Sequence, residues 1–359
     1  MAESELRALA GQVIVAGYPA GDPPEAIRRR LSERALGGVI LFKRNLEGLA
    51  PVEVAEHLAG IAAATAGPAP LVAVDQEGGR VERLKSPVLE LPPMRALGDH
   101  DDVGLTRRVG AALGAQLAAL GFTVDFAPVL DVDTNPANPV IGDRSFGADP
   151  EKVARHGLAF AAGLAEAGLL ACGKHFPGHG DTAQDSHFDL PSLPHDMERL
   201  ERVELVPFRA AAGAVGSIMT AHIVFEALDP DRPATLSKRV ITGLLRETLG
   251  YDGLIVSDDL EMKAIADHFT PGQAAVEAIA AGCDALLICK TVSLVDEAAE
   301  ALASEASHDP AFAARLREAA ARVHAARARL TCAPVTDPDA LRRLFDAAAP
   351  LRAELSRMG

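Results

Sequence analysis

One short stretch of the chain, residues 174–187, concentrates side chains that can transfer protons or bind polar ligands. It contains three histidines, one lysine and two aspartates. The preceding residues 168–173 are apolar and are predicted to form a buried strand. Pro177 and the glycines beside it argue against a helix or a regular strand after His175. We therefore expect a polar loop on a rigid scaffold, which is an arrangement typical of functional sites.

Two kinds of chemistry fit the residue types in this loop. One is a metal site, because His175, His179, Asp181, Asp185 and His187 all carry ligand atoms that could bind Zn²⁺ or Mn²⁺ and activate water. Against it, the spacing matches no helical or zinc-ribbon pattern, and glycine-rich loops make poor preformed metal cages. The other is metal-free acid–base catalysis, in which Asp185 orients His187 and a carboxylate elsewhere is the nucleophile. We expect neither a metal nor a cofactor.

The elements that must position this loop are short apolar segments that alternate with helical ones, among which are helices predicted over residues 198–212 and 237–248. About eight strands of this kind are predicted, each bounded by Gly or Pro: residues 12–17, 38–42, 70–75, 122–127, 169–173, 217–221, 253–258 and 284–288. Strands without polar alternation are typical of a parallel sheet that is buried on both faces. The pattern predicts an α/β fold with a single-domain (β/α)8 TIM-type barrel and a helical C-terminal extension.

We assign the barrel to residues 1–330 and the extension, packed on the barrel, to residues 331–359. A doubly wound open sheet is the alternative fold. No GxGxxG follows the first strand and no P-loop occurs in the chain, so the nucleotide-binding versions of that fold are disfavoured.

In a barrel of this type the active site lies at the carboxyl ends of the strands, and polar residues stand at several of these ends. The candidates in chain order are Asp75, Asp131, Asp133, Lys174, His175, His222, Asp258 and Asp259. Separate parts of the chain thus bring carboxylates, a cation and imidazoles to one face. Among them Asp258 is the best candidate for a nucleophile.

Some of these residues also have a purely structural interpretation. Asp259 is expected to cap a helix that begins at Leu260. Asp75 could order the glycine turn that follows it, and His222 alone is typical of a hydrogen-bonded core histidine. Three other histidines lie in helical, alanine-rich sequence and are expected at the surface: His156, His308 and His324.

The composition excludes several classes of partner. The formal net charge of −15 argues against nucleic acid or an anionic membrane. No apolar run is long enough to span a bilayer, and the N-terminus lacks the features of a signal peptide.

The four cysteines show no CxxC spacing and are expected to be buried thiols in a reducing cytoplasm. With no Trp and two Tyr, the chain lacks the aromatic platforms of endo-acting polysaccharide enzymes, so a carbohydrate ligand would be one sugar in a pocket.

The motifs around these residues resemble family 3 glycoside hydrolases, and most closely the β-N-acetylhexosaminidase branch. Besides the 174–187 loop, the resemblance rests on segments that occur in the family's order: 75–83, 126–131, 143–147, 190–191, 207–208, 219–222 and 257–262. It implies a retaining exo-glycosidase that forms a covalent glycosyl-enzyme.

The resemblance also implies roles for single residues. Asp258 matches the nucleophile, and the general acid/base is His187, paired with Asp185, in place of the usual second carboxylate. The residues that match those binding the hydroxyls and the acetamido group of the terminal sugar are Asp75, Arg83, Arg144, Lys174 and His175. The implied substrate is a non-reducing terminal β-linked N-acetylglucosamine, carried in cytoplasmic members on peptidoglycan (muropeptide) fragments from cell-wall turnover. We expect this small carbohydrate as the partner, and a monomer.

Related activities remain open. A histidine acid/base leaves no carboxylate to repel phosphate, so a β-N-acetylglucosaminide phosphorylase is one alternative, and a β-glucosidase or β-xylosidase on the same barrel is another. The chain departs from the resemblance at Lys290, where we expect Asn or Asp near the end of the last strand. This change could alter the rim of the pocket.

Overall fold

A closed barrel of eight parallel strands forms the centre of the molecule. The structure, a computed structural model, describes residues 3–183 and 190–358. The barrel strands are β1 (Ile14–Ala16), β2 (Gly38–Ile40), β3 (Leu71–Val74), β4 (Val124–Asp125), β5 (Leu170–Phe176), β6 (Ser217–Thr220), β7 (Leu254–Asp259) and β8 (Ala285–Ile288). Each strand pairs with its neighbour in sequence, and β8 pairs with β1 to close the barrel. The predicted (β/α)8 fold is confirmed.

Apolar side chains from the strands fill the interior of the barrel, because strands buried on both faces offer few positions to polar groups. The cluster contains small, sulfur-containing and large side chains: Val15, Ile40, Leu71, Ala73, Val124, Phe126, Cys172, Met219, Leu254, Val256, Ala285 and Leu287. The interior is therefore a packed core. The polar residues stand above it, at the carboxyl ends of the strands.

Helices surround this barrel. They are α1 (Glu3–Gly11), α2 (Glu25–Ser32), α3 (Lys43–Leu46), α4 (Pro51–Ala64), α5 (Met94–His100), α6 (Val103–Leu120), α7 (Pro150–Glu166), α8 (Met197–Arg202), α9 (Leu205–Ala211), α10 (Lys263–Ala266), α11 (Pro271–Ala281), α12 (Val292–His308), α13 (Pro310–Ala328), α14 (Pro338–Ala347) and α15 (Ala349–Leu355). Two 3-10 turns, Gly142–Arg144 and Ala234–Leu236, and a π-helix, Arg239–Thr248, complete the regular structure, and Ser192–Leu193 pairs with Val224–Phe225.

Local sequence signals explain where several helices begin. Asp102 accepts a hydrogen bond from the backbone N–H of Leu105 at the start of α6. Thr270 and Gln273 form a reciprocal capping box at the start of α11, followed by proline at the first helical position. These helix starts are therefore fixed by local hydrogen bonds.

The structure corrects three of the expected elements. β5 continues to Phe176, so Lys174 and His175 lie within the strand. The helix predicted over 198–212 is two helices, because Glu204 turns inward and its buried carboxylate accepts hydrogen bonds from Arg199. The helix predicted over 237–248 is the π-helix.

His156 is fully buried, contrary to the prediction of a surface position. Its Nδ1 lies 2.8 Å from Thr106 Oγ1 and its Nε2 lies 3.0 Å from Asp101 Oδ1. Both ring nitrogens thus have partners on neighbouring segments, which makes burial of the imidazole possible. The two other histidines of this group, His308 and His324, are exposed as predicted.

The C-terminal residues pack on the outside of the barrel. The backbone N–H of Val335 donates to the Ala119 carbonyl at the end of α6, and Leu341 and Phe345 of α14 are buried. The division of the chain at residue 330 stays a prediction. No helix in the two described ranges is both long enough and apolar enough to cross a membrane.

Candidate active site

A cavity of about 310 Å³ opens at the carboxyl ends of the barrel strands. The resemblance assigns catalytic or sugar-binding roles to eight residues. Six of these eight line the cavity: Asp75, Arg83, Arg144, Lys174, His175 and Asp258. The other two, Asp185 and His187, lie outside the described residues. A larger cleft of about 640 Å³ between α5 and α15 contains none of the eight. The barrel mouth is therefore the candidate active site.

Five charged side chains form a continuous chain of contacts in this cavity. Lys174 is at its centre, with Nζ 2.9 Å from Asp75 Oδ1 and 2.5 Å from Glu77 Oε1. Arg144 binds Glu77 through two hydrogen bonds, Nε to Oε2 at 2.8 Å and Nη2 to Oε1 at 2.9 Å. Arg83 Nη2 lies 3.2 Å from Asp75 Oδ2. Positive and negative charges alternate along these five side chains, in the order Arg83, Asp75, Lys174, Glu77 and Arg144.

This network keeps its two buried members, Glu77 and Lys174, charged. Burial raises the pKa of Glu77, but the charges and hydrogen bonds of Arg144 and Lys174 outweigh it and hold that pKa well below its ordinary value. Burial lowers the pKa of Lys174, but the charges of Asp75 and Glu77 outweigh it, so the pKa of Lys174 is raised. The cavity therefore presents fixed cationic donors and anionic acceptors, which suit a ligand rich in hydroxyl and amide groups.

Glu77 is a residue that sequence reasoning missed. It lies two positions beyond Asp75 and directly before the glycine turn, in a segment that the sequence predicts as a loop. The signal that could have identified it is charge balance. The residues chosen from the sequence to bind the sugar included three permanent cations, Arg83, Arg144 and Lys174, but Asp75 as their one carboxylate. A buried group of this kind requires a further anion.

Asp131 holds His175 and the start of the following loop. Its Oδ2 lies 2.7 Å from His175 Nδ1, and its Oδ1 accepts a hydrogen bond of 2.6 Å from the backbone N–H of His179. Burial raises the pKa of Asp131, but the charge and hydrogen bond of His175 outweigh it, so the pKa is lowered. The peptide bonds Lys174–His175 and Phe176–Pro177 are cis. Asp131 was noted as a strand-end residue, and its role here is to fix an imidazole at the cavity wall.

The first part of the loop is anchored by polar contacts. His179 Nδ1 lies 2.7 Å from Thr182 Oγ1. Asp181 contacts His195 Nε2 at 2.6 Å and accepts a hydrogen bond from Thr134 Oγ1 at 2.8 Å. Burial and the nearby charge of His175 lower the pKa of His179 to about 4, so its imidazole is neutral at neutral pH. The contacts of His179 and Asp181 thus fix the shape of the first part of the loop.

The metal site considered from the sequence has no cluster of ligand side chains in the part of the chain that the structure describes. Within residues 3–183 and 190–358, no group of three or more His, Cys, Asp or Glu side chains is arranged to hold a metal ion. His175 and Asp181, two of the residues proposed as ligands, have protein partners at 2.7 Å or less.

The end of β7 places two carboxylates at the mouth. Asp258 lines the cavity, and its Oδ1 accepts a hydrogen bond of 2.8 Å from the backbone N–H of Asp259. The prediction that Asp259 caps a helix at Leu260 is wrong, because β7 runs through Asp259 and α10 begins at Lys263. Asp259 Oδ1 instead accepts hydrogen bonds from the N–H groups of Glu261 and Cys289. Burial raises the pKa of Asp259 to about 6.

His222 is a hydrogen-bonded core histidine, as one interpretation of the sequence predicted. It is fully buried, with Nδ1 2.8 Å from Thr235 Oγ1 and Nε2 3.0 Å from the carbonyl oxygen of Asp259. Through the second contact it supports the end of β7 from the neighbouring strand.

Two cations stand on the rim of the cavity beside β1. Lys290 is exposed there, at the position where the chain departs from the resemblance. Arg44, which sequence reasoning missed, donates from Nε to the Tyr18 carbonyl at 2.9 Å and from Nη2 to the Cys289 carbonyl at 2.5 Å. Its guanidinium also lies 4.4 Å from the centroid of the Phe42 ring. No local pattern marks Arg44, because its partners come from distant strands.

Comparison with known proteins agrees with this geometry. The profile of the glycosyl hydrolase family 3 N-terminal domain matches residues 5–326. A beta-hexosaminidase from Chromobacterium violaceum is 41% identical over 308 residues, covering 84% of this chain and 84% of that protein. A family 3 beta-N-acetylglucosaminidase from a Paenibacillus species superimposes with a TM-score of 0.86 at 38% identity, covering 97% of this chain and 68% of its own.

A third relative, native NagZ from Neisseria gonorrhoeae, superimposes with a TM-score of 0.80 at 34% identity, covering 96% of this chain and 97% of its own. The same Neisseria protein has a structure in complex with N-trifluoroacetyl-D-glucosamine. The family profile, the sequence identity and the shared barrel all lead to one assignment. The chain belongs to glycoside hydrolase family 3, in its β-N-acetylhexosaminidase branch, and is a glycoside hydrolase.

Proposed function

We propose that this enzyme is a retaining exo-β-N-acetylglucosaminidase that removes a non-reducing terminal β-linked N-acetylglucosamine. The observation that carries the proposal is the position of Asp258 in the same cavity as the Arg83–Asp75–Lys174–Glu77–Arg144 chain. A carboxylate next to a fixed array of donors and acceptors is what a sugar-cleaving site with a nucleophile requires. The complex of the Neisseria relative with an N-acylated glucosamine supports the choice of sugar.

The reaction proceeds in two displacements. In the first, an oxygen of Asp258 bonds to the anomeric carbon while the bond from that carbon to the aglycone oxygen breaks, and His187 gives its proton to this oxygen. In the second, water attacks the anomeric carbon, the bond to Asp258 breaks, and the proton of the water returns to His187. Asp185 orients His187 and stabilises its cation. The roles of His187 and Asp185 rest on the sequence alone.

The charged network binds the sugar in the orientation that exposes its anomeric carbon to Asp258. Lys174, Arg83 and Arg144 donate to the hydroxyl and acetamido oxygens, and Asp75 accepts from a hydroxyl. His175, which Asp131 holds through Nδ1, has Nε2 as its second polar atom for the ligand. Because most of these groups also bind one another, their positions are set before the sugar arrives.

We propose that the natural substrates are peptidoglycan fragments in the cytoplasm and that the enzyme acts as a monomer. All four cysteines are free thiols, which fits a reducing compartment. In the described part of the chain, Leu49 is the one large hydrophobic side chain that is exposed, so no apolar patch there calls for a second subunit.

The proposal is tested by trapping the intermediate. A 2-acetamido-5-fluoro glycosyl fluoride should label Asp258, and Asp258→Asn should abolish turnover of an aryl 2-acetamido-2-deoxy-β-glucoside. NMR should show the β-anomer as the first product. A label on any other residue would overturn the mechanism. Formation of a sugar 1-phosphate when phosphate is added would indicate the phosphorylase, and faster cleavage of an aryl β-glucoside would indicate the β-glucosidase.

A further inference from the structure

The strand that carries Asp258 contains a bulge at this residue. Along β7 and β8, Val256 is in register with Ala285, and the next pair is Asp259 with Leu287. Three steps along β7 therefore match two steps along β8, so one extra residue is inserted between Val256 and Asp259. Bulges of this kind change the direction in which side chains point.

The bulge changes which residues of β7 face the mouth. Side chains normally alternate along a strand, and Val256 belongs to the apolar cluster inside the barrel. Because of the extra residue, Asp258 and Asp259 both line the cavity although they are consecutive. A regular strand would have turned one of these two carboxylates away.

Side chains of β7 replace the hydrogen bonds that the bulge interrupts. The N–H of Leu287 donates to Ser257 Oγ at 3.1 Å, and the N–H of Cys289 donates to Asp259 Oδ1 at 3.2 Å. The amide of Leu287 in β8 and the amide of Cys289, one residue beyond the end of β8, thus bind side-chain oxygens of β7 where a regular ladder offers carbonyls. Ser257 is fully buried, so its hydroxyl makes this contact away from water.

The same arrangement orients the carboxylate of Asp258. The backbone N–H of Asp259 donates to Asp258 Oδ1 at 2.8 Å, and the Asp259 carbonyl accepts from His222 Nε2 at 3.0 Å. Asp259 is therefore held at its N–H, at its own carbonyl in the next peptide, and at its side chain. The direction of the N–H that binds the Asp258 carboxylate depends on the contacts of Ser257 with Leu287 and of Asp259 with Cys289.

We propose that Ser257 and Asp259 are positioning residues for Asp258: their side chains fix the bulge and with it the angle at which the Asp258 carboxylate meets the anomeric carbon. The inference rests on the proposed role of Asp258 as nucleophile. Ser257 acts through the backbone of β8 and needs no contact with the sugar. A displacement of about 1 Å in such a group lowers catalysis by about 100-fold.

Ser257→Ala and Asp259→Ala should lower kcat by about 10- to 100-fold, with KM and the affinity for N-acetylglucosamine changed less than about threefold. The rate at which the 5-fluoro reagent labels Asp258 should fall in parallel. Asp259→Asn keeps an acceptor oxygen for the Cys289 amide and should retain more of the rate than Asp259→Ala. Ser217→Ala is the matched control, because Ser217 is also buried and donates to the Ala171 carbonyl at 3.0 Å in the barrel wall, so kcat should not change.

Two results would overturn the inference: wild-type labelling rates in both alanine variants, or loss of sugar affinity as large as the loss of kcat. Thermal unfolding shows whether each variant folds, and if Ser257→Ala does not, the two Asp259 variants make the comparison. If the wild-type label lies on another residue, the proposed function fails. If the label lies on Asp258 and both alanine variants react normally, the positioning inference alone fails.

Discussion

Lys174 and Glu77 form a direct ion pair at the cavity, with Nζ and Oε1 2.5 Å apart. Lys174 is 2% exposed and Glu77 is 1% exposed. The pair lies between Asp75 on one side and Arg144 on the other, so each ion has a second partner of opposite charge. Removal of one member would leave buried charges without compensation, which costs more than the pair itself contributes.

Glu77→Gln should therefore destabilise the protein by about 3 kcal/mol and weaken sugar binding, because Arg144 loses the carboxylate that positions it. Urea unfolding at neutral pH measures the first effect, and KM with an aryl N-acetylglucosaminide measures the second. Glu47→Gln is the control, since Glu47 pairs with Lys43 at the exposed surface and should change stability by less than about 0.5 kcal/mol. Equal stability of the two variants would contradict the prediction.

His179 should make stability depend on pH in a specific window. Its pKa is lowered to about 4 in the folded protein, while the unfolded chain keeps the ordinary value of 6.5. Between these values the unfolded state binds a proton that the folded state does not, so this contribution is complete above pH 6.5. It is lost as the pH falls toward 4, by about 3 kcal/mol.

The pH effect is measured as the difference in unfolding free energy between wild type and His179→Gln at pH 7.5, 5.5 and 4.5. The difference should move in favour of the variant as the pH falls. His324→Gln, at an exposed position, is measured alongside as the control for the substitution itself. A constant difference between wild type and His179→Gln would refute the assignment.

The acid/base role of His187 predicts a dependence on the leaving group. His187→Ala should lower kcat/KM for a disaccharide by about 1,000-fold, because the departing sugar oxygen needs a proton. A 2,4-dinitrophenyl glycoside, whose leaving group needs none, should lose less than about tenfold in its first step. Rates measured across a series of phenols test this, and equal losses for all substrates would exclude His187 as the acid.

Gly180 should not tolerate a side chain. A Cβ at this position would lie 1.8 Å from the carbonyl oxygen of Val132, so the loop and the segment after β4 would have to separate. Gly180→Ala should lower both the melting temperature and kcat. Gly213→Ala has open space around it and serves as the control, with a change in stability below about 1 kcal/mol. A variant Gly180→Ala with wild-type activity and melting temperature would disprove the close contact.

Sequence patterns predict those features of the fold that depend on residues close together in the chain. The apolar segments bounded by Gly and Pro locate all eight strands, and the strand ends indicate Asp75, Lys174, His175 and Asp258, which line the cavity. Arg83 and Arg144 follow only from the resemblance to family 3. Partners that are distant in sequence are the main source of error. His156 was expected at the surface because its helix is rich in alanine, but Thr106 and Asp101 satisfy both of its nitrogens. The sequence predicts a helix cap at Asp259, where the structure has a strand, because the bulge against β8 leaves no trace in the order of residues along β7.

The buried charge chain also determines how the enzyme should respond to dissolved ions. Mobile ions screen charges that face water, but they reach groups such as Lys174 and Glu77 far less. Affinity for the sugar should therefore hold over a wide range of ionic strength. The exposed ammonium of Lys290 is open to screening, so an effect of added salt should come mainly from the rim and from the part of the substrate that lies there. A salt titration would thus separate the two regions of the site without any mutation.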